Sequence, residues 1–183
     1  MTALEISFLN GLQQTIGNSF FDVFFKLITH LGDAGIFWII LTVALLCFKK
    51  TRKIGLGMGI ALAFGLVFGN ILLKNLIARA RPFTHEEALI HAEDLLVSMP
   101  RDYSFPSGHT LASFSCATVI FAYNKKWGIP AYILAALIAF SRMYLFVHFP
   151  TDILGGLVLS FACAFASIYI LKRFWPERNT ADS

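Results

Sequence analysis

The sequence predicts an all-α fold, a polytopic bundle of transmembrane helices in a single domain, and two observations predict it. First, 57% of the 183 residues are hydrophobic and only 14% are charged, whereas a soluble domain is about 45–50% apolar and about 25% charged. Second, the charges are clumped and separated by long uncharged stretches. Several of these approach the roughly 20 apolar residues that cross a bilayer as a helix. The net charge of +4 lies at the ends of these stretches. Basic residues there set topology, so the charge does not signal a nucleic-acid partner. Cys47, Cys116 and Cys163 fall inside apolar runs without paired or metal-ligand spacing, and they read as buried thiols. The N-terminus carries no cleavable signal pattern.

Three regions follow in order. Residues 1–33 hold two weak helices. Residues 3–10 place apolar side chains at helical spacing, as in an amphipathic helix on a membrane surface. Gly17-Asn18 breaks it. Residues 19–31 are apolar but carry Asp22, Lys26 and His30, and they read as a short helix in or dipping into the interface. If this segment crosses, six spans are possible and the N-terminus changes side. The membrane core, residues 34–175, holds five clear spans at 34–48, 54–73, 108–123, 127–147 and 150–171. Residues 83–105 form a polar, acidic loop, and 176–183 are a polar, frayed tail. Gly57, Ala61, Gly65 and Gly69 lie four apart on one helical face, as do Gly156, Ser160 and Ala164. Small residues at this spacing let helix backbones approach closely in lipid. The basic clusters at 49–53, 125–126 and 172–173 share one side if five spans alternate, and the positive-inside rule makes that side cytoplasmic. The acidic loop, His109 and His148 then lie on the outer face.

Three groups of reactive residues gather there. Lys74 and Arg81-Pro82 close the second span. The two cations are seven residues apart, about two helical turns, which puts them on nearly one side of a helix. A cation inside a span costs about 3 kcal/mol unless something compensates, and a bound phosphate would. Arg79 points elsewhere on that helix and reads as a side chain snorkelling to headgroups. The second group, Pro106-Ser107-Gly108-His109, sits where a helix begins. Ser107 suits an N-cap, Gly108 lets an anion approach the backbone, and the helix dipole favours that anion. His109 adds a group that exchanges protons near neutral pH. The third group is Ser141-Arg142 through His148 to Asp152. Arg142 is a lone charge late in a span, which marks function. Asp152 falls in the first turn of a helix and can orient the His148 imidazole. A plain Arg142–Asp152 salt bridge is the alternative. Three cations, a helix N-terminus, two histidines and a carboxylate suit phosphoryl transfer, with one imidazole attacking and the other protonating the leaving oxygen. No HExxH, paired-aspartate or Walker motif supports a metal or nucleotide mechanism.

These three segments resemble the three-part signature of the type 2 phosphatidic acid phosphatase family, Lys-x6-Arg-Pro, Pro-Ser-Gly-His and Ser-Arg-x5-His-x3-Asp. Here it stands as Lys74…Arg81-Pro82, Pro106-Ser107-Gly108-His109 and Ser141-Arg142…His148…Asp152. The resemblance implies a membrane-integrated, metal-independent lipid phosphatase without cofactor. It makes His148 the nucleophile that forms a phosphohistidine, Asp152 its orienting group, and His109 the general acid. Lys74, Arg81, Ser107, Gly108 and Arg142 would hold the phosphoryl oxygens. The short chain looks most like bacterial undecaprenyl pyrophosphate phosphatases of the cytoplasmic membrane, with the site on the outer face. Phosphatidylglycerophosphate and phosphatidate phosphatases share the pattern. A non-enzymatic lipid-binding or lipid-moving protein would need the cations but not both histidines and Asp152. The expected partners are a lipid phosphate or diphosphate and the bilayer. The number of subunits stays open. So many cations suit a diphosphate better than a monoester.

Overall fold

The computed structural model describes residues 2–175; the polar tail expected at 176–183 lies outside the described residues. Its helices begin and end where local chemistry puts them. α1 (Thr2–Ile16) is followed by α2 (Ser19–His30), whose N-cap Asn18 accepts from the N–H groups of Phe20 and Phe21. α3 (Ile36–Cys47) and α4 (Arg52–Phe64) flank the first basic cluster. α4 continues as a π-helical stretch, Gly65–Leu73, and closes with one more α turn, α5 (Lys74–Ile77). Such wide-wound stretches are frequent at functional sites. α6 (Gly108–Tyr123) is capped by Ser107. Asn124 ends α6 and caps α7 (Lys125–Tyr144) through its side chain. α8 (Pro150–Phe174) opens on a proline, whose fixed φ suits the first helical position. No strand occurs among the described residues, so the all-α expectation holds.

Four helical stretches among the described residues are long and apolar enough to cross a bilayer: Ser19–Cys47, Arg52–Thr84, Lys125–Tyr144 and Pro150–Phe174. The first joins α2 to α3 through a turn in which Ala34 and Gly35 adopt left-handed φ of 49° and 67°. The short interfacial helix expected at 19–31 and the span expected at 34–48 are thus the two halves of one apolar stretch. α6 matches the expected third span but has 16 residues, about 24 Å, less than the roughly 30 Å hydrocarbon core. It is the central helix. Ser113, Ser115, Cys116, Ala117 and Val119 on it are buried, and it packs against α4, α7 and α8.

The small-residue stripe does what its spacing predicts. A Cβ on Gly57 would lie 2.8 Å from Val119 Cγ1, and one on Gly69 would overlap Leu111. On α8, a Cβ at Gly156 would lie 2.9 Å from Ser107 O. These approaches bring α4 and α8 onto α6 and lock the cap of α6 against the start of α8. At the other end, Lys53 lies 5.5 Å over the Tyr123 ring, which puts the α3–α4 and α6–α7 basic clusters together. Cys116 and Cys163 are buried as expected, but Cys47 is exposed, because it sits on the last turn of α3 facing away from the bundle.

Val119 is fully buried and cannot yield to a new methyl group. Gly57→Ala should therefore destabilise the protein by about 1–3 kcal/mol, read as a lower unfolding midpoint in detergent. Gly59→Ala, whose Cβ would meet only Thr42 at 3.6 Å, should hold or raise the midpoint, since alanine favours a helix interior over glycine.

Candidate active site

The end of the bundle opposite the basic clusters holds a cavity of about 550 Å³. Lys74, Arg81, Arg142, His109 and His148 line one part of it, with Gly108 at the start of α6. Ile39, Leu62, Leu66, Leu111 and Ala112, from α3, α4 with its π-helical continuation, and α6, form an apolar wall. All three sequence segments thus meet in one place.

Lys74 and Arg81 meet, but not on one face of a helix. The helix stops at Ile77 because Ala78 turns left-handed, with φ 47°, and its N–H returns to Lys74 O. Arg81 follows in extended chain, ahead of a 3₁₀ turn at Pro82–Thr84. The two cations converge on Asp102, a residue of the polar loop. Lys74 Nζ pairs with Asp102 Oδ2, and Arg81 Nη2 lies 2.6 Å from Oδ1. Arg81 Nε also donates to Asp102 O at 2.8 Å. Partial burial raises the Asp102 carboxyl, but the hydrogen bonds and charges of Lys74 and Arg81 outweigh it and bring the group down to about 2. The cavity thus carries its own anion where these two cations meet.

His148 lies in the turn between α7 and α8. α7 stops at Tyr144 rather than 147, because Phe146 turns left-handed at φ 62°. The N–H groups of Val147 and His148 then both return to Arg142 O. His148 Nδ1 is 3.4 Å from Asp152 Oδ2, and its Nε2 is 3.4 Å from Arg81 Nη1. Arginine only donates, so Nε2 beside it is the bare nitrogen and Nδ1 carries the proton. Burial first, then the charges of Arg81 and Arg142, push His148 down to about 3 despite the opposing pull of Asp152. Its imidazole is neutral at neutral pH, with the unprotonated Nε2 facing Arg81 Nη1.

Asp152 is inaccessible to solvent, and both its oxygens are occupied. Oδ2 accepts from Ser104 Oγ and, at 2.8 Å, from Phe149 N. Oδ1 accepts from Arg79 Nη1 at 2.6 Å. The salt bridge of Asp152 is therefore with Arg79, not Arg142. Arg79, read from the sequence as snorkelling, turns inward: it also pairs with Glu5 at 2.6 Å and lies 4.0 Å over the Phe149 ring. Glu5 on α1 accepts from Thr151 N and Oγ1. The first turn of α8 is thus pinned by the N-terminal helix. Helical periodicity alone could not reveal this, since the helix carrying Arg79 ends before it.

Arg142 on α7 donates to Thr29 Oγ1 of α2. Among the described residues its buried Nε finds no hydrogen-bond partner, which leaves a donor for a ligand of the cavity it lines. Asn70, four residues before Lys74, also lines the cavity, and its buried Oδ1 has no hydrogen-bond partner among the described residues. A polar residue inside an apolar span was the available signal. Ser107 does not line the cavity: its Oγ accepts from Thr110 N and Oγ1, and its N–H goes to Asp152 O at 3.1 Å. His109 lies on the first turn of α6, with Nε2 3.0 Å from Asp33 Oδ1. A buried imidazole–carboxylate pair facing three cations in a helical membrane body defines a membrane-embedded anion site with nucleophilic capacity.

Residues 52–176 match the PAP2 superfamily, and the chain belongs to that family. An undecaprenyl-diphosphatase of Sulfolobus acidocaldarius is 37% identical over 73% of this chain and 63% of its own length. The chain thus spans somewhat less than two thirds of that relative. The undecaprenyl-diphosphatase BcrC of Bacillus subtilis is 32% identical over 81% of this chain and 74% of its own. Among solved structures, a transmembrane PAP2-type phosphatidylglycerolphosphate phosphatase from Bacillus subtilis superimposes with a TM-score of 0.72 at 25% identity, covering 96% of this chain and 88% of the other.

Removing one partner of a buried charge pair costs roughly 3–5 kcal/mol. Arg79→Ala should therefore lower the unfolding midpoint sharply. Phosphate release by whatever folded protein remains should also fall, since Asp152 would lose its anchor. A midpoint and activity equal to wild type would return Arg79 to the snorkelling role.

Proposed function

We propose that the chain is a membrane lipid phosphatase that acts through a phosphohistidine at His148, most directly converting undecaprenyl pyrophosphate to undecaprenyl phosphate. The observation that carries this reading is the His148 imidazole, neutral, backed through Nδ1 by Asp152 and leaving Nε2 bare beside Arg81. The terminal phosphoryl group displaces the Asp102 carboxylate and takes over Lys74 and Arg81, with Arg142 Nε and the N–H groups at Gly108 as further donors. Nε2 attacks phosphorus as the bond to the leaving oxygen breaks, and His109 protonates that oxygen. Water then attacks the phosphohistidine, His109 takes its proton, and inorganic phosphate departs. Charge neutralisation comes from the side chains, so the reaction is metal-independent.

The apolar wall beside the cations suits a lipid tail that stays in the bilayer while its head enters the cavity. The surplus of cations favours a diphosphate, and the two undecaprenyl-diphosphatase relatives support the same tail. The structural neighbour named as a phosphatidylglycerolphosphate phosphatase supports the alternative, a glycerophospholipid monoester such as phosphatidylglycerophosphate or phosphatidate. A lipid-binding protein without turnover would have no use for the buried His148–Asp152 pair. The basic clusters at the far end support placing the cavity at the outer face of a bacterial cytoplasmic membrane.

His148→Ala should lower phosphate release from undecaprenyl or farnesyl diphosphate by at least about a thousandfold, while wild-type activity survives excess chelator and is inhibited by vanadate. Catalytic efficiency on these diphosphates should exceed that on phosphatidate and phosphatidylglycerophosphate in one detergent; the reverse order would reject the diphosphate and leave the His148 chemistry standing.

Orientation has its own check. In a cysteine-free background, a cysteine at Glu87 should react with an impermeant thiol reagent from outside intact cells, and one at Lys125 should not. The opposite labelling would place the cavity in the cytoplasm.

A further inference from the structure

Asp33 lies in the turn between α2 and α3, outside every motif used above, and its carboxylate touches two imidazoles. Oδ1 is 3.0 Å from His109 Nε2, and Oδ2 is 2.7 Å from His30 Nδ1. The turn is moulded to the His109 ring. Directly after Asp33, Ala34 and Gly35 take left-handed φ of 49° and 67°, a conformation that costs energy for alanine and concentrates at functional sites. Directly before it, Gly32 has no room for a side chain: a Cβ there would overlap His109 Cδ2 and lie 2.8 Å from Ile138 Cγ2.

The electrostatic setting gives this contact a purpose. Lys74, Arg81 and Arg142 line the same cavity as His109, so an imidazolium there needs a counter-charge. The Asp102 carboxylate is shared by Lys74 and Arg81, and Asp33 is the carboxylate in contact with the His109 ring. The side chains of His30 and Asp33 are 53% and 48% exposed, against 16% for His109. The row His30–Asp33–His109 therefore runs from the outer surface of the protein to the cavity.

We propose that Asp33 is the positioning residue of the proton donor: it holds the Nε2–H of His109, balances the charge of the imidazolium, and leaves the Nδ1–H for the leaving oxygen. The proposal rests on the phosphohistidine reading. In the first half-reaction the phosphorus–oxygen bond breaks as His148 Nε2 bonds to phosphorus, and the Nδ1 proton of His109 passes to the departing oxygen. In the second, water bonds to phosphorus, the phosphorus–nitrogen bond breaks, and the water proton returns to His109. Asp33 stays ionised throughout. Help from a proton donor matters more as the leaving group becomes more basic. A diphosphate releases a phosphate monoester, which leaves readily, whereas a lipid monophosphate must release an alkoxide. Asp33 therefore sets how far the enzyme reaches beyond diphosphates to monophosphates of lipid alcohols.

The test compares farnesyl diphosphate with farnesyl phosphate, which share a tail and differ in leaving group. Asp33→Asn should lose kcat/KM on farnesyl phosphate at least about tenfold more than on farnesyl diphosphate, and His109→Ala should show the same split. If Asp33→Asn does not fold, Gly32→Ala, which pushes the ring away from the carboxylate, must give that split. Equal losses on both substrates, or a wild type that cannot use farnesyl phosphate, would overturn the proposal. Should the split be absent while His148→Ala is inactive, Asp33 alone has been misread. Turnover surviving in His148→Ala would overturn the phosphohistidine reading and the Asp33 role together.

Discussion

The buried carboxylate of Asp152 is the constraint that orders the rest of this end of the molecule. A charge removed from water persists only when every lone pair is met. Here Arg79, Ser104, the Phe149 N–H and His148 meet them. The partners come from three separate parts of the chain: the segment after α5, the polar loop and the α7–α8 turn. Satisfying one side chain therefore closes the loop over the bundle. Because Arg79 needs a second acceptor, it also brings in Glu5 of α1. The N-terminal helix, which as a surface amphipathic element would have been free to drift, becomes part of the support for His148.

The same logic explains Asp102. Lys74 and Arg81 are buried cations, and without a phosphate they repel one another and lack their water. The half-exposed Asp102 carboxylate sits between them. In the proposed reaction a partly exposed partner is the right kind of placeholder, since a lipid phosphate would replace it with little rearrangement of the packed core. Arg142 differs: it is anchored by Thr29 and keeps its Nε unpaired, a donor held ready rather than neutralised.

Helix packing supplies the rigidity that such a site requires. Gly156 lets α8 approach the carbonyl of Ser107 so closely that the cap of α6 and the first turn of α8 form one unit. Ser107 N–H to Asp152 O is the hydrogen bond across that seam. His109 and His148, one on each side, are thereby held in a fixed relation.

Composition and spacing alone determined the all-helical membrane class, the cap at Ser107, the helix start at Pro150, the small-residue seams, and the three segments that carry Lys74, Arg81, His109, Arg142, His148 and Asp152. These are local properties: hydropathy, cap chemistry and helical period depend on neighbours in the chain. Tertiary structure decided the rest. The helix that was to align Lys74 with Arg81 ends at Ala78, whose left-handed turn has no marker in the sequence, and a loop carboxylate joins the two cations instead. Arg79 looked idle because its partners lie 73 and 74 residues away. Asp33 stands in none of the three segments, because its contact with His109 crosses 76 residues. Ion pairs between distant residues leave no period in a sequence, and the burial that makes them strong exists only once the helices have packed.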